Sequence, residues 1–313
     1  MNSTPTGSLR CLTEQPDLLG ESPFWHPVEN CLYWVDIAGR AIRRRRENAL
    51  VETFTLQEEP GCIAPAGRGG LLVALRSRVI LFDPASGHAT TLAPAPYDTL
   101  TTRFNDGRCD PQGRFWAGTV FEPKTAAMAG LYCLTPGTDG SWKMEQHLGG
   151  NVTANGLAFS PDSHLAWWSN TPAHLVEQYD FDPVSGQFSG ARVFRQFDAR
   201  AAGQPYGGRP DGVAIAADGT YWVAMYEGGR VLQLAADGTT LREITLPVRC
   251  PTMVCFGGSG LRTLFITTAS KGRSAEELAA EPLAGHVLAI DLDTLGVPAS
   301  VHGMPTAQWA PRR

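Results

Sequence analysis

Four segments of the sequence place acid or amide side chains just before an apolar strand and a turn. They are Glu21 in GESPFW, Asn105 and Asp106 in RFNDGR, Asn155 in TANGLAFSPD and Asp211 in RPDGVAIAADG. Carboxylate and amide oxygens, with no nitrogen or sulfur ligand among them, suit a hard divalent cation. If these segments are repeats around an axis, the side chains converge on one spot. The pattern therefore predicts a metal-dependent hydrolase built on a propeller.

Short strands and turn signals recur along the chain with almost no helical periodicity. We count six units that start about 40 to 56 residues apart, the period of a four-stranded propeller blade. Each unit has an apolar strand, a turn, an aromatic strand and an alternating strand. A β-sandwich would lack this longer self-similarity. We predict an all-β chain whose residues 1–313 form a single six-bladed β-propeller domain of four-stranded antiparallel blades around a central channel, with short polar terminal segments.

Two inserts interrupt the repeat pattern. Residues 122–129 (EPKTAAMA) follow the third unit's GTV strand, and residues 270–283 (SKGRSAEELAAEPL) interrupt the sixth unit. Ser274 followed by Ala275, Glu276 and Glu277 predicts the capped start of a short helix. Loops at blade ends often carry specificity, so either insert could cover the central cavity or be an ornamental loop.

Composition and charge exclude several classes of partner. The chain has 313 residues, 43% of them hydrophobic, and a net charge of -5, which disfavours nucleic acid as a partner. No apolar run reaches the roughly 20 residues of a membrane span. The N-terminal MNSTPTGSLRCLTE lacks the apolar region of a signal peptide, so we expect a cytoplasmic protein, monomeric or weakly homo-oligomeric.

Five motifs in register resemble one known family. The motifs that carry the resemblance are GESPFW, RFNDGRCDPQGRFWAGT, NGLAFSPD, PDGVAIAADGTYWVA and the combined segment with CFGG, LFITTA and PLAG. Through them the chain resembles the senescence marker protein (regucalcin) and gluconolactonase family. The resemblance spans residues 15–295 and keeps the motif order. It implies a six-bladed propeller that binds one divalent cation at the mouth of its channel and hydrolyses sugar lactones to aldonic acids.

The same resemblance assigns metal ligands. It implies Glu21, Asn155 and Asp211 as the ligands of the cation. The oxygen donors favour calcium, although zinc, manganese, magnesium or iron could also use an open site of this kind. Two roles stay open for Asp106: it either supports the ligand side chains from behind or only shapes a turn.

Substrate contacts follow from the resemblance as well. It implies that Arg103 and Asn105 contact the sugar lactone, and Glu122 is the nearest match to an acidic residue that contacts sugar hydroxyls. The local sequence FEPK departs from the double-acid pattern of some members, and Thr101 and Thr102 replace asparagines found in some relatives. Both departures affect the expected substrate pocket.

Lactone hydrolysis needs an activated carbonyl, a water nucleophile and a proton acceptor. A cation polarises the carbonyl as a Lewis acid, and we expect Asp211 to act as the general base, with water activated by the cation itself as the alternative. Arg103 could orient the sugar and stabilise the developing oxyanion. Two other functions stay open at this point, because a fold does not fix a function. They are a non-catalytic calcium-binding propeller and a promiscuous esterase or organophosphate hydrolase.

Overall fold

The fold is seen in a computed structural model that describes residues 9–311, apart from the side chain of Arg68. The outermost parts of the predicted polar terminal segments, residues 1–8 and 312–313, lie outside the described residues. Within that range the chain forms 24 strands in six antiparallel sheets of four. The predicted all-β architecture of six four-stranded blades is confirmed.

The first five blades are each made of four consecutive strands. Blade 1 contains β2 to β5 (Gly20–His26, Cys31–Asp36, Ala41–Arg46, Glu52–Thr55), and blade 2 contains β6 to β9 (Pro60–Ala66, Gly70–Leu75, Arg78–Phe82, Ala89–Pro94). Blade 3 contains β10 to β13 (Thr102–Cys109, Phe115–Phe121, Ala129–Pro136, Trp142–Asn151). Blade 4 contains β14 to β17 (Ala154–Phe159, Leu165–Asn170, Leu175–Phe181, Phe188–Gln196), and blade 5 contains β18 to β21 (Arg209–Ile215, Tyr221–Tyr226, Arg230–Leu234, Thr240–Thr245).

The sixth blade joins the two ends of the chain. It contains β22 to β24 (Pro251–Gly257, Thr263–Thr268, Leu288–Asp291) and, as its outer strand, β1 (Arg10–Cys11) from the start of the chain. The first strands of blades 1 to 6 contact one another in a closed order, blade 6 against blade 1 included. These six strands therefore line a central channel, and the pairing of β1 with β24 holds the ring closed.

The packing between blades explains the aromatic second strands of the repeats. Trp34, Trp116, Trp168 and Trp222 occupy the second strands of blades 1, 3, 4 and 5 and are almost completely buried. Every residue of β3 is buried, because a neighbouring blade covers each face of its sheet. Burial of such a large apolar side chain stabilises the fold by about 1.5–3 kcal/mol.

Helical structure is confined to short segments. The helix predicted in the second insert is present as α1 (Ala275–Ala280), and the Ser274 side chain accepts a hydrogen bond from the Glu277 N–H at 3.2 Å, as expected of a cap. The other described helical segments are single 3-10 turns, at Gly67–Gly69, Thr171–Ala173, Ser259–Leu261 and Leu292–Leu295. No described helix is long and apolar enough to cross a membrane.

Residues 301–311, which we call the C-terminal strap, run across one face of the ring. The carbonyl oxygen of His302 in the strap accepts a hydrogen bond from the Ala217 N–H of blade 5 at 2.8 Å. The Thr306 hydroxyl of the strap donates one to Trp25 O of blade 1, also at 2.8 Å. Its Trp309 N–H donates to Pro65 O in blade 2 at 2.8 Å. The strap thus ties several blades together, although the sequence predicted only a polar terminal segment there.

Candidate metal and substrate site

The acid and amide side chains of the repeats lie where the innermost strands begin, at the end of the channel that we call the upper mouth. In β2, β10, β14 and β18 the pairing register breaks at these positions, between Glu21 and Phe24, Phe104 and Gly107, Asn155 and Ala158, and Pro210 and Val213. A β-bulge of this kind turns side chains out of the sheet's normal alternation. Four blades therefore present polar side chains to one region.

The glycines that follow Asn155 and Asp211 have a steric cause. Gly156 has a φ of +59°, and a Cβ there would lie 2.5 Å from the Ser169 hydroxyl oxygen. A Cβ on Gly212 would lie 2.2 Å from Cγ of Met253 in the next blade. The Asn-Gly and Asp-Gly pairs of the motifs are thus required by the bulge and by close packing between blades. In blades 2 and 6 the corresponding register breaks contain Gly61 and Thr252, so these two breaks add no charged side chain.

A chain of hydrogen bonds crosses the upper mouth from blade 3 to blade 5. Arg103 Nη1 donates to Asn105 Oδ1 at 2.9 Å, and Asn105 Nδ2 donates to Asn155 Oδ1 at 2.6 Å. Asn155 Nδ2 donates in turn to Thr171 Oγ1 at 2.8 Å, and the Thr171 hydroxyl donates to Pro210 O at 2.7 Å. Arg103, Asn105 and Asn155, predicted for different tasks, therefore lie in one network. One lone pair of Asn155 Oδ1 remains for another partner.

Thr171 is a member of this network that sequence reasoning missed. It is buried in the 3-10 turn after β15, and its hydroxyl links the Asn155 amide to the backbone just before Asp211. The segment SNTPAH around it contains none of the repeat motifs. Nothing in the sequence pattern marks this residue.

Three carboxyl groups are buried at the upper mouth, those of Glu21, Asp106 and Asp211. Burial raises the pKa of each, and the charge of Asp106 raises the pKa of both Glu21 and Asp211 further. Asp106 Oδ2 accepts a hydrogen bond from the Leu157 N–H at 3.2 Å, which supports the bulge that carries Asn155. Oδ1 of Asp106 and Oδ1 of Asp211 are buried without a hydrogen-bond partner among the described residues.

A divalent cation fits this donor set. Within residues 9–311 no three side chains of His, Cys, Asp and Glu are grouped to hold a metal ion, so a site here has to include an amide such as Asn155. Mutually repelling buried carboxylates with unpaired oxygens are costly unless a positive charge compensates them. Glu21, Asn155 and Asp211 are the residues that would hold such a cation.

Glu122 lies beside Arg103, as the substrate prediction requires, but it is already paired. Its two carboxylate oxygens accept hydrogen bonds from Arg76 of blade 2, at 2.9 and 3.1 Å, and Arg103 Nε lies 3.4 Å away. Partial burial acts to raise its pKa, but the Arg76 hydrogen bonds and the Arg103 charge leave that pKa below its usual value. In this arrangement Glu122 holds Arg103 in place, and its contact with a sugar hydroxyl stays a prediction.

The opposite end of the channel, the lower mouth, has a different character. A cavity of about 420 Å³ lies there, lined by the later residues of the six innermost strands and by Met304 to Ala307 of the C-terminal strap. Its walls are mainly apolar and include Phe24, Ile63, Met253 and Phe256. The predicted site residues lie at the upper mouth, not in this cavity.

Fold and site together define a class, the six-bladed propellers with buried carboxyl and amide groups at one mouth of the channel. The sequence matches the family described as "SMP-30/Gluconolactonase/LRE-like region" over residues 19–270. The chain belongs to this family, as its motifs predicted. The prediction of a lactonase-type enzyme is confirmed at the level of the family.

Individual relatives agree over nearly the whole chain. The sequence is 44% identical to a 6-deoxy-6-sulfogluconolactonase of Pseudomonas putida, across 95% of this chain and 97% of that one. It is 32% identical to regucalcin of Danio rerio, across 93% and 96%. The crystal structure of a calcium-binding protein, regucalcin, from Agrobacterium tumefaciens superposes with a TM-score of 0.85 over 96% of this chain and 97% of that one, at 24% identity, and confirms the fold.

Proposed function

We propose that this protein is a metal-dependent lactonase that opens a sugar lactone to the aldonic acid. The carrying observation is the convergence of Glu21, Asp106 and Asp211 with the amide of Asn155 at the upper mouth. The relative from Pseudomonas putida, which is a lactonase by name, supports the reaction class. The substrate is an aldonolactone such as a glucono-, xylono- or arabinolactone.

Glu21, Asn155 and Asp211 would hold the cation. All their donors are oxygens, which favours calcium, and the related Agrobacterium protein is described as calcium-binding. When bound, the cation would supply Lewis-acid polarisation of the lactone carbonyl. Zinc, manganese, magnesium or iron at the same three residues is the alternative.

Asp211 is the proposed general base. Its Oδ1 is buried and accepts no hydrogen bond from any described residue, so it is free to accept one from water. As water adds to the carbonyl carbon, Asp211 takes its proton. The bond between that carbon and the ring oxygen then breaks, and the proton passes to the ring oxygen. One water is consumed and the aldonic acid is released.

Arg103 and Asn105 are the proposed substrate contacts. The Arg103 guanidinium is largely buried, and its Nη1 is fixed by Phe104 O and Asn105 Oδ1, both at 2.9 Å. A guanidinium held in this way loses little entropy when it binds a sugar hydroxyl or a developing oxyanion. Arg103 thus orients the lactone beside Asp211.

The test is a panel of aldonolactones assayed with and without chelator. We expect chelation to abolish hydrolysis, one added divalent cation to restore it, and Asp211→Ala and Asp211→Asn to be inactive while still folded by circular dichroism. Asp237→Asn is the matched control, because Asp237 caps an exposed turn of the same blade and hydrogen-bonds only to Thr239. Hydrolysis that survives chelation, or full activity in Asp211→Ala, would overturn the mechanism.

The regucalcin relatives favour a second function, a non-catalytic calcium-binding propeller. Such a protein would bind the cation through the same residues but would turn over none of the lactones. An esterase or organophosphate hydrolase would instead show turnover on substrates outside the sugar series. The same assay, extended to phenyl esters and phosphotriesters, separates these possibilities.

A further inference from the structure

The lower cavity is mainly apolar but has a cation in its wall. Its volume of about 420 Å³ lies within the roughly 300–1,000 Å³ of sites that bind small molecules. Phe24, Ile63 and Phe256 are among the apolar side chains that line it. Of the described residues in the wall, only Arg108 of β10 carries a full charge at neutral pH. The cavity therefore combines apolar packing surface with a single positive charge.

The Arg108 side chain reaches across the channel from blade 3 to blade 5. Its Nη2 donates a hydrogen bond to Val213 O at 2.6 Å. A guanidinium has five N–H donors, and no second hydrogen bond from this side chain is made within the described part of the chain. The Nε of Arg108 is buried, so the unused donors that a ligand can reach are those of the two Nη groups.

The two acids that flank Arg108 in the sequence are used elsewhere. Asp106 Oδ2 accepts a hydrogen bond from the Leu157 N–H at 3.2 Å. Asp110 Oδ2 accepts one from Arg114 Nε at 2.5 Å. In residues 9–311 no ion pair joins Arg108 to a carboxylate, whereas Arg114 of the same blade has Asp110. Arg108 is thus an arginine of the channel whose counter-ion the described chain does not supply.

Other polar side chains of the cavity wall already have hydrogen-bond partners. The Ser160 hydroxyl donates to Asp162 at 2.5 Å, and the Thr306 hydroxyl of the strap donates to Trp25 O at 2.8 Å. A charged group that is partly out of water, with several unused donors, is costly unless an acceptor compensates it. The unmet requirement of the cavity is therefore one anionic acceptor beside Arg108.

We infer that the lower cavity binds a small monocarboxylate, with its carboxylate on Arg108 and its apolar chain against the cavity walls. A carboxylate suits a guanidinium because two parallel hydrogen bonds join the planar groups. A second anionic group on the ligand would lie unpaired among apolar side chains, so dicarboxylates should be rejected. This site is separate from the upper mouth and does not depend on the proposed lactonase function.

The test is calorimetric titration of the whole protein with butyrate, hexanoate and octanoate. We expect the affinity to increase about fourfold with each added methylene, as burial of the chain in an apolar cavity requires. Adipate and hexan-1-ol should each bind at least about tenfold more weakly than hexanoate, since one adds an unpaired charge and the other lacks the charge. The affinities should be the same with and without added calcium, because the cation belongs to the other mouth.

Arg108→Met tests the anchor, because methionine retains part of the apolar stem and removes the charge. We expect it to weaken all three carboxylates by one common factor, about tenfold to a hundredfold, and to leave the increase per methylene unchanged. Arg108→Lys should retain part of the affinity. Arg192→Met is the matched control, since Arg192 is exposed on the outer strand β17 and is paired with Asp180.

Ala307→Phe tests the cavity without altering Arg108. Ala307 lies in the strap at the cavity wall, so a phenyl ring there should occupy the space of the chain and weaken octanoate more than butyrate. The inference is wrong if the wild type binds none of the carboxylates, or if Arg108→Met binds octanoate as the wild type does. Binding that requires calcium would place the ligand at the upper mouth and also overturn it. If Arg108→Met does not fold, unchanged octanoate affinity in Ala307→Phe rejects the site.

Discussion

The two mouths of the channel are made from the same six strands but do different work. At the upper mouth the strands are bulged and place Glu21, Asp106 and Asp211 out of water, with burial raising the pKa of each carboxyl. At the lower mouth the same strands are regular, line an apolar cavity and are covered by the C-terminal strap. The buried carboxyl groups of the upper mouth lower the free energy of unfolding but supply reactive groups. The apolar packing of the lower mouth raises the free energy of unfolding.

The largest effect is expected from Glu21→Gln. The substitution keeps the shape of the side chain and removes one buried charge, so the proposed cation loses a ligand. We expect kcat/KM for lactones to fall about a thousandfold, equivalent to several kcal/mol of lost Lewis-acid stabilisation. The melting temperature without cation should stay the same or rise, since a costly buried carboxyl is gone. Steady-state kinetics measures kcat/KM, elemental analysis measures the bound cation and calorimetry measures the melting temperature. A fall in stability with intact kinetics would mean that Glu21 supports the fold and not the reaction.

Thr171→Val tests the hydrogen-bond network at the same mouth. Valine is close in shape to threonine but cannot accept from Asn155 Nδ2 or donate to Pro210 O. Groups that orient metal ligands typically contribute 10–100-fold to metal affinity, so we expect a loss at the low end of that range. Cation titration by calorimetry measures it. Thr135→Val, near the end of β12 and far along the blade from the mouth network, is the control and should leave the affinity unchanged, because the Thr135 hydroxyl donates, among the described residues, only to Lys143 O and Glu145.

Much of this arrangement could be predicted because the chemistry and the fold share one motif. An acid or amide followed by glycine is visible in the sequence, and the bulge requires that glycine, as Gly156 and Gly212 show. Trp116 and Trp222 likewise identify the second strands of their blades, because neighbouring blades bury both faces of each sheet. The blade count and the location of Asn155 and Asp211 at one mouth followed from these signals, whereas Glu21, which precedes Ser22, was joined to them as one ligand set through the family resemblance.

Features that depend on contacts between blades were not visible in the sequence. Glu122 was expected to face a sugar, but Arg76 of the neighbouring blade takes its oxygens, and no local pattern joins those two residues. Thr171 of blade 4 acts through a hydrogen bond to Pro210 O of blade 5, 39 residues away. The strap and the two-residue strand β1 have no periodicity to reveal them. The metal, the compartment and the oligomeric state stay predictions.

A smaller effect is expected from Gly303→Ala in the strap. A Cβ at this position would lie 2.1 Å from Cβ of Phe256, in the wall of the lower cavity. Overpacking of this kind costs about 1–3 kcal/mol, so we expect a melting temperature several degrees lower and unchanged kcat/KM in the folded enzyme. Gly67→Ala is the control, because a Cβ there meets nothing within 4 Å. Lost activity at full stability would show that the two mouths are coupled.

The smallest effect concerns the pH dependence of stability without cation. The folded-state pKa values of Glu21, Asp106 and Asp211 lie above those of free carboxyls, so folding favours their protonated forms. Their stabilisation is complete below about pH 4 and is lost as pH rises through the raised values. The melting temperature should therefore fall by a few degrees between pH 5 and 8.

The buried Asp17 provides the internal comparison for this measurement. Burial outweighs its hydrogen bond from Trp34 and its ion pair with Arg43 and raises its pKa to about 7. Asp17 therefore adds to the slope of the melting temperature against pH. Asp17 is not among the proposed cation ligands, and Asp17→Asn should reduce the slope equally with and without cation. Saturating cation, in contrast, should remove only the part that belongs to Glu21, Asp106 and Asp211, because it favours their ionised forms. A slope that cation leaves unchanged would mean that Glu21 and Asp211 do not bind it.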